Sequence, residues 1–255
     1  MKKSYAEIGQ RRNELLDFIA KEELSYAEIA ARLHISIITL RRDLLALEQM
    51  GKIKRQRGKS TVKDYLSIDE NLIDEIEIIK RKIGQKAACL IENNKTVFIN
   101  SGSTPLYSLN YLKNKQVTII TNNVRAARSE LNPKSHLILS GGEIQYPKAS
   151  LIGDFANEFF SSKHADFAII GVYGISPTGD ITSPNFAESR VNNTIINQTT
   201  GPVIVVADYR KIGLVSNFIS GKVSKISYII TDTYADQAIL KEFEKIGITV
   251  IQITP

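Results

Sequence analysis

The chemistry that this sequence suggests most directly is anion binding at the run Ser101-Gly102-Ser103-Thr104. An apolar, β-branched stretch at 96–100 precedes the run, and residues with helical spacing follow it. Hydroxyl groups and the free N–H groups of a helix start therefore converge at one turn, which suits a phosphate. The Walker motif GxxxxGK[ST] is absent, and glycine and serine also occupy such turns for structural reasons alone.

Three further apolar stretches, at 117–121, 136–140 and 202–208, are followed by small or polar residues. If these stretches are parallel strands, their carboxyl ends meet at one edge of the sheet, where ligands bind. These ends supply the other candidates for the anion site, which are Asn122, Gly141, Gly142 and Lys211. The lysine would add a cation, although a lone lysine after a strand is more often a solvated surface residue.

Enzyme chemistry finds less support in the sequence. The carboxylates that could act as acid or base have no diagnostic spacing, and no nucleophile is paired with a histidine. They are Glu143, Asp180, Glu188 and Asp208. The three histidines lie far apart and no CxxC or HxxxH motif occurs, so we expect no metal site and no cofactor.

A second signal lies at 25–51, where the pattern indicates two short helices joined by a tight turn. Ser36 is a good N-cap for the second helix, in which an apolar stripe recurs at helical spacing. The stripe consists of Ile37, Leu40, Leu44 and Leu47. A helix-turn-helix places its second helix in the DNA major groove. The candidates for DNA contacts there are Ser36, Ile38, Thr39, Arg41 and Arg42. A helical hairpin with a solvated charged face is the alternative.

The basic stretch after residue 51 could extend that surface. Ile53 and Val62 flank a run rich in lysine and arginine, which is compatible with a short two-stranded wing. A wing would bring Lys54, Arg55 and Arg57 to the phosphate backbone. A flexible basic linker is an equal alternative.

Charge is distributed unevenly along the chain. Residues 1–63 contain 14 Lys and Arg against 8 Asp and Glu, which accounts for the whole formal net charge of +6. This pattern is typical of a polyanion partner. The single cysteine, Cys89, excludes an intramolecular disulfide framework, and no apolar run has the length of a membrane span. We therefore expect a cytoplasmic protein that does not associate with membranes.

The elements that must position these residues alternate from residue 76 onward. Seven apolar, β-branched runs are interspersed with helical patterns, one of them at 124–131, which favours a mostly parallel sheet covered on both faces. We predict a small winged helix-turn-helix domain over 1–63, a linker over 64–75 and an α/β domain over 76–255.

Together these residues resemble the DeoR family of bacterial transcriptional repressors over almost the whole chain. The segment ISIITLRRDL at 35–44 is similar to that family's recognition-helix signature. The segments FINSGST, TIITNN, LSGGE, SLIGD, GVYGISPTGDIT and VVADYRK are similar to its sugar-phosphate sensor domain. Asn100, Tyr173 and Arg210 depart from that pattern, since the family usually has an aspartate, an acidic residue and a serine there.

The resemblance implies an α/β domain with the fold of ribose-5-phosphate isomerase, in which residues 101–104 hold a phosphate and Lys211 faces the ligand. It also implies a repressor of sugar metabolism that binds operator DNA as a homo-oligomer and responds to a phosphorylated sugar. Two alternatives stay open. One is an isomerase-like enzyme fused to a DNA-binding module, and the other is an architectural DNA binder whose α/β domain only oligomerises.

Overall fold

The computed structural model of the chain describes residues 11–12, 14–19, 26–36, 39–40, 43–44, 47–48, 53–55, 65–67 and 70–255. The chain divides into two compact units, Met1–Glu75 and Ile76–Pro255. Within the described ranges, no helix is both long and apolar enough to cross a membrane.

The first unit is built from helical segments around a small apolar core. The helical residues are 11–12, 14–19, helix α1 (Tyr26–Arg32), 39–40, 43–44 and 47–48. After α1 the chain turns at His34, whose φ is 50°. The core consists of Leu15, Ile29, Ala30, Leu33, Leu40, Leu44, Leu47 and Ile53. The apolar stripe predicted for the second helix is thus confirmed at its three leucines, while Ile37 lies outside the described residues.

A two-stranded antiparallel sheet follows in the same unit. Strand β1 (Ile53–Arg55) pairs with β2 (Tyr65–Ser67), and Ile53 lies opposite Ser67. This pairing favours the wing over the flexible basic linker. The second strand begins at Tyr65, after the Val62 that the sequence indicated. Strand β2 and the start of helix α2 (Glu70–Cys89) lie in the range 64–75, for which the sequence predicts a linker.

A seven-stranded sheet forms the centre of the second unit. Its strands are β3 (Lys95–Ile99), β4 (Val117–Thr121), β5 (His136–Leu139), β8 (Phe167–Gly171), β11 (Val203–Val206), β13 (Tyr228–Asp232) and β14 (Thr249–Ile253). They lie in the order β14-β13-β11-β8-β3-β4-β5, and every neighbouring pair is parallel. The prediction of a mostly parallel sheet is confirmed.

Helices cover both faces of this sheet. They are α2, α3 (Ser103–Leu112), α4 (Asp154–Ser161), α5 (Phe186–Gln198) and α6 (Gln237–Lys245). Successive residues of a strand point to opposite faces. In β3, Phe98 accordingly packs in the cluster that includes Phe160 of α4, whereas Val97 packs in the cluster that includes Ile83 of α2.

Two small antiparallel sheets were not predicted. A hairpin joins β6 (Glu143–Gln145) to β7 (Ser150–Ile152), and a three-stranded sheet has the order β12-β10-β9. Its strands are β9 (Gly174–Ile175), β10 (Asp180–Ser183) and β12 (Phe218–Lys222). The helix predicted at 124–131 is a short 3-10 segment, Val124–Arg128, in which Ala126 is the buried residue.

Candidate functional site

The turn after β3 lies at the carboxyl edge of the sheet and opens helix α3. Gly102 is the N-cap residue, and no side chain caps this helix start. Ser103 is exposed, Ser101 and Gly102 are half-buried, and Thr104 is buried. The N–H groups of a first turn have no partners inside the helix, and their partial positive charge favours an anion. Residues 101–103 are therefore the accessible part of the predicted turn.

Glycine allows the ends of β3 and β8 to lie close together. A Cβ atom on Gly102 would lie 2.8 Å from Cδ of Pro105 and 3.2 Å from Cα of Gly171. A Cβ atom on Gly171 would also lie 2.8 Å from the same Cδ. Packing alone thus requires glycine at residue 102, and a bulky substitution there would disturb the fold as well as any bound anion.

Asn100 joins these strand ends to helix α5. Its Oδ1 accepts a hydrogen bond from the N–H of Gly171 at 2.8 Å. Its Nδ2 donates to the carbonyl of Gly171 and to Oδ1 of Asn192, both at 2.8 Å. An ionised aspartate has no donor for either acceptor. The departure from the family pattern at this residue therefore adds two contacts that fix the strand ends.

The end of β4 connects the same turn to the β6–β7 hairpin. Nδ2 of Asn123 donates to the carbonyl of Gly102 at 3.5 Å. Asn122 donates from Nδ2 to the carbonyl of Leu151 at 3.0 Å and accepts the N–H of Leu151 at 2.7 Å. Asn122 is 1% exposed, and its Oδ1 has no hydrogen-bond partner among the described residues. Unpaired buried acceptors are uncommon, so this oxygen is open to a donor from a ligand or a water.

Of the predicted pair Gly141-Gly142, only Gly142 is required to be glycine by the packing around it. Both residues have positive φ, 72° and 111° respectively. A Cβ atom on Gly142 would lie 2.5 Å from the carbonyl oxygen of Ile152, so the approach of β7 requires glycine. A Cβ atom on Gly141 would meet no described atom within 4 Å. Contact of either glycine with a ligand stays a prediction.

Lys211 ends the short turn after β11 and lies among other cations. Its Nζ is 5.2 Å from the ring centroid of Tyr173, in the loop after β8. Burial lowers the pKa of Lys211, the charge of Asp208 opposes this, and nearby cations lower the pKa further. These cations are Arg210, Lys80 and Lys148. A bound anion would favour the charged lysine, so the position suits a phosphate.

Arg210 stands where the family usually has a serine, and Asp208 binds its guanidinium. Nε donates to Oδ1 at 2.8 Å and Nη2 donates to Oδ2 at 2.9 Å. Burial alone would raise the pKa of Asp208, but the bonds and charge of Arg210 outweigh it and lower that pKa. Because Arg210 is held by this carboxylate, Lys211 is the more available cation.

Glu188, in the first turn of α5, was named from the sequence only as a possible acid or base and not among the candidates for the anion site. It is 7% exposed, and its two carboxylate oxygens accept hydrogen bonds from Nζ of Lys148 at 3.1 and 2.9 Å. The hydroxyls of Ser150 and Ser183 lie farther away, at 3.5 and 3.4 Å. The only signal in the sequence was a first-turn glutamate, which a helix start favours for its own sake.

In the first unit, Ser36 caps the helical residues that the sequence assigned to DNA. Its Oγ accepts a hydrogen bond from the N–H of Thr39 at 3.1 Å and lies 2.9 Å from Oγ1 of Thr39. The predicted N-cap is confirmed. Four of the other DNA-binding candidates, Ile38, Arg41, Arg42 and Arg57, lie outside the described residues. Lys54 and Arg55 belong to strand β1.

Asp43, within the same signature, has a structural contact that the sequence did not predict. It is 1% exposed, and it accepts hydrogen bonds from Nε of Arg11 at 2.7 Å and from Nε of Arg12 at 3.1 Å. The side chain of Arg11 is 9% exposed. This arginine is therefore part of the packing of the first unit, and its charge faces a buried carboxylate.

Family models match the two parts of the chain separately. A model described as DeoR-like helix-turn-helix domain matches residues 11–64, and one described as DeoR C terminal sensor domain matches residues 77–233. The chain belongs to the DeoR family. The DeoR match contains the Ser36 cap and strand β1 in the first unit and every candidate of the anion site in the second.

Three curated relatives are similar to this DeoR-family chain over nearly its whole length. The HTH-type transcriptional regulator GolR of Listeria innocua is 26% identical over 94% of this chain and 97% of its own. The HTH-type transcriptional repressor GlcR of Bacillus subtilis is 30% identical over 93% of each chain. The glycerol-3-phosphate regulon repressor of Escherichia coli is 28% identical over 88% of this chain and 90% of its own.

The chain is thus a transcriptional regulator of the DeoR family and not an isomerase-like enzyme. Ribose 5-phosphate isomerase A of Methanocaldococcus jannaschii is similar in structure with a TM-score of 0.39 and 14% identity, over 53% of this chain and 54% of that one. A likeness at this level carries no conclusion about activity. Among the described residues, no group of three or more His, Cys, Asp or Glu side chains could hold a metal ion.

Proposed function

We propose that this DeoR-family regulator is a repressor of sugar metabolism whose affinity for operator DNA changes when a phosphorylated sugar binds at the carboxyl edge of the sheet. The observation that carries the proposal is the combination of an uncapped helix start at Ser103 with Lys211, whose pKa burial lowers. A phosphate would accept hydrogen bonds from the N–H groups of the helix start and would stabilise the charged form of the lysine.

The sheet order supports a ligand that extends along this edge. Strands β3 and β11 both neighbour β8, so the two candidate contacts are about two strand spacings, or ~10 Å, apart. The carboxyl end of β8 contacts both sides, because its last residue, Gly171, is bonded to Asn100 and Tyr173, two residues later, lies against Lys211. A small phosphorylated sugar or polyol fits such a span, and the Escherichia coli relative is named for the glycerol-3-phosphate regulon.

We further propose that residues 1–63 bind the operator, through Arg41 and Arg42 in the major groove and through the basic wing at the phosphates. One helix-turn-helix offers a small interface, so specific binding usually uses two half-sites related by a two-fold axis. A homo-oligomer assembled through residues 76–255 satisfies this requirement. A regulator must also share a compartment with its operator, which we propose to be the cytoplasm.

A thermal-shift screen of the full chain against phosphorylated sugars tests the effector half of this proposal. A ligand at 100 times its dissociation constant stabilises the folded state by about 2.7 kcal/mol. The informative variant is Ser103→Glu, because its charge is favourable at an exposed helix start but repels a phosphate there. We expect the ligand-induced shift to disappear in Ser103→Glu.

His164→Glu is the matched control for that variant. His164 is exposed in the loop before β8, at the opposite edge of the sheet, and the same added charge there should leave the shift intact. An equal shift in the wild type and in Ser103→Glu would contradict the site, and no shift with any phosphorylated sugar would contradict the proposed effector class.

A further inference from the structure

Two buried acceptors at the carboxyl edge lack the donors that such groups normally have. Oδ1 of Asn122 has none among the described residues. The carboxylate of Glu188 has one close donor, Nζ of Lys148, and two hydroxyls at 3.4 Å or more. An ionised carboxylate offers about four acceptor sites, and a hydrogen bond at 3.4 Å or longer is weak. Glu188 therefore has room for further donors.

Both acceptors contact strand β7 and belong to one closed ring of contacts with the anion turn. Asn122 is bonded to Leu151, and Glu188 lies beside the neighbouring Ser150. Asn123 forms a bridge with Ser150 and donates to the carbonyl of Gly102.

Helix α5 closes the other side of the ring. One helical turn after Glu188, Asn192 accepts a hydrogen bond from Asn100, and Asn100 in turn accepts the N–H of Gly102 at 3.4 Å. The edge of the sheet thus presents donors at the helix start of α3 and acceptors on the side of β7 and α5.

We propose that Glu188 is a specificity-determining residue that accepts hydrogen bonds from the hydroxyl groups of the effector, with Asn122 as a second acceptor. This inference rests on the proposed function, since it assumes that the phosphate of the same ligand lies at residues 101–103. It narrows the ligand to a compound with an anion at one end and several hydrogen-bond donors at the other. A phosphate bearing a second anionic group in place of the hydroxyls meets the carboxylate of Glu188 unfavourably.

Calorimetry on the full chain tests this assignment by comparing inorganic phosphate with a hydroxylated panel. The panel consists of glycerol 3-phosphate, fructose 1-phosphate, fructose 6-phosphate and glucose 6-phosphate. We expect the wild type to bind at least one member about tenfold or more tightly than inorganic phosphate. Glu188→Gln should weaken that member by about tenfold or more, the loss expected for a hydrogen bond to a charged group, and leave the affinity for inorganic phosphate within about twofold.

Two other variants keep the result interpretable. Glu242→Gln removes an exposed carboxylate that pairs with Lys245 at 2.6 Å on helix α6, and it should change neither affinity. Glu188→Asp retains the charge but shortens the side chain, which moves the carboxylate away from the ligand. It should therefore also lower the affinity for the panel member relative to that for inorganic phosphate. This variant replaces Glu188→Gln if the latter fails to fold.

The possible failures are distinguishable. If the wild type binds neither inorganic phosphate nor any panel member, the proposed function is wrong and this inference falls with it. In the second failure, a panel member binds tightly while the ratio of its affinity to that of inorganic phosphate is the same in both Glu188 variants as in the wild type. In that case the proposed role of Glu188 is wrong and the anion site stands.

Discussion

Lys211 is the residue whose charge should decide how ligand binding depends on pH. Its pKa in the free protein is lowered, chiefly by burial. A bound phosphate favours the charged lysine, so binding takes up a proton wherever the free lysine is neutral. Affinity must therefore fall as pH rises through the lowered pKa of Lys211, and it is retained below that pKa.

We predict a loss of about tenfold or more in phosphate-ligand affinity on the alkaline side, the scale of one charge-assisted hydrogen bond. Calorimetry between about pH 7, where a phosphate monoester has lost its second proton, and about pH 10 measures it. Lys211→Arg should remove the dependence because arginine stays charged over this range. The same alkaline loss in Lys211→Arg would show that another group titrates.

Single residues were predictable from the sequence where their role is local. Ser36 caps its own helix three residues before Thr39, and such a motif is visible in one short segment. Asn100 and Glu188 depend instead on partners 71, 92 and 40 residues away. No local pattern specifies which distant side chain will meet an amide or a carboxylate, so their contacts needed the structure.

At the scale of elements, Asp43 holds the helical segments of the first unit together. It joins residues 43–44 to residues 11–12 through a buried carboxylate that binds two guanidinium groups. Removing one partner of a buried ion pair costs about 3–5 kcal/mol, because the other charge is left unpaired. We predict that Asp43→Asn destabilises the first unit by about 3 kcal/mol.

Hydrogen exchange of the full chain measures this effect locally. Amides of residues 26–33 should lose about a hundredfold of protection, since each factor of ten corresponds to about 1.4 kcal/mol. Asp17→Asn, which removes an exposed carboxylate from residues 14–19, is the control and should leave protection unchanged. If both variants exchange like the wild type, Asp43 does not stabilise these segments.

Elements were predictable in proportion to their length and periodicity. The five inner strands of the parallel sheet are near-continuous apolar runs because helices bury them on both faces. The edge strands β5 and β14 are mostly exposed or half-buried, but their apolar runs were predicted as well. Strand β9 has 2 residues, too few for an alternating pattern to emerge. The 3-10 segment Val124–Arg128 was mistaken for a helix because its composition is helical while its packing face is one alanine.

At the scale of the whole molecule, the chain combines a DNA-binding unit with an α/β unit that contains the proposed anion site. A ligand can change operator affinity only by as much as its affinity differs between the two conformations of the protein, typically about 1–3 kcal/mol. We therefore predict that the ligand changes the operator dissociation constant by about 5- to 150-fold.

The most direct test is a fluorescence-anisotropy titration of the full chain against an operator selected from random DNA, with and without a saturating phosphorylated sugar from the thermal-shift screen. We predict that the sugar changes the dissociation constant by about 5- to 150-fold in the wild type. In Ser103→Glu, which should still bind the operator, the sugar should leave the dissociation constant unchanged. If the operator affinity of the wild type stays the same at saturating ligand, the phosphorylated sugar does not control DNA binding.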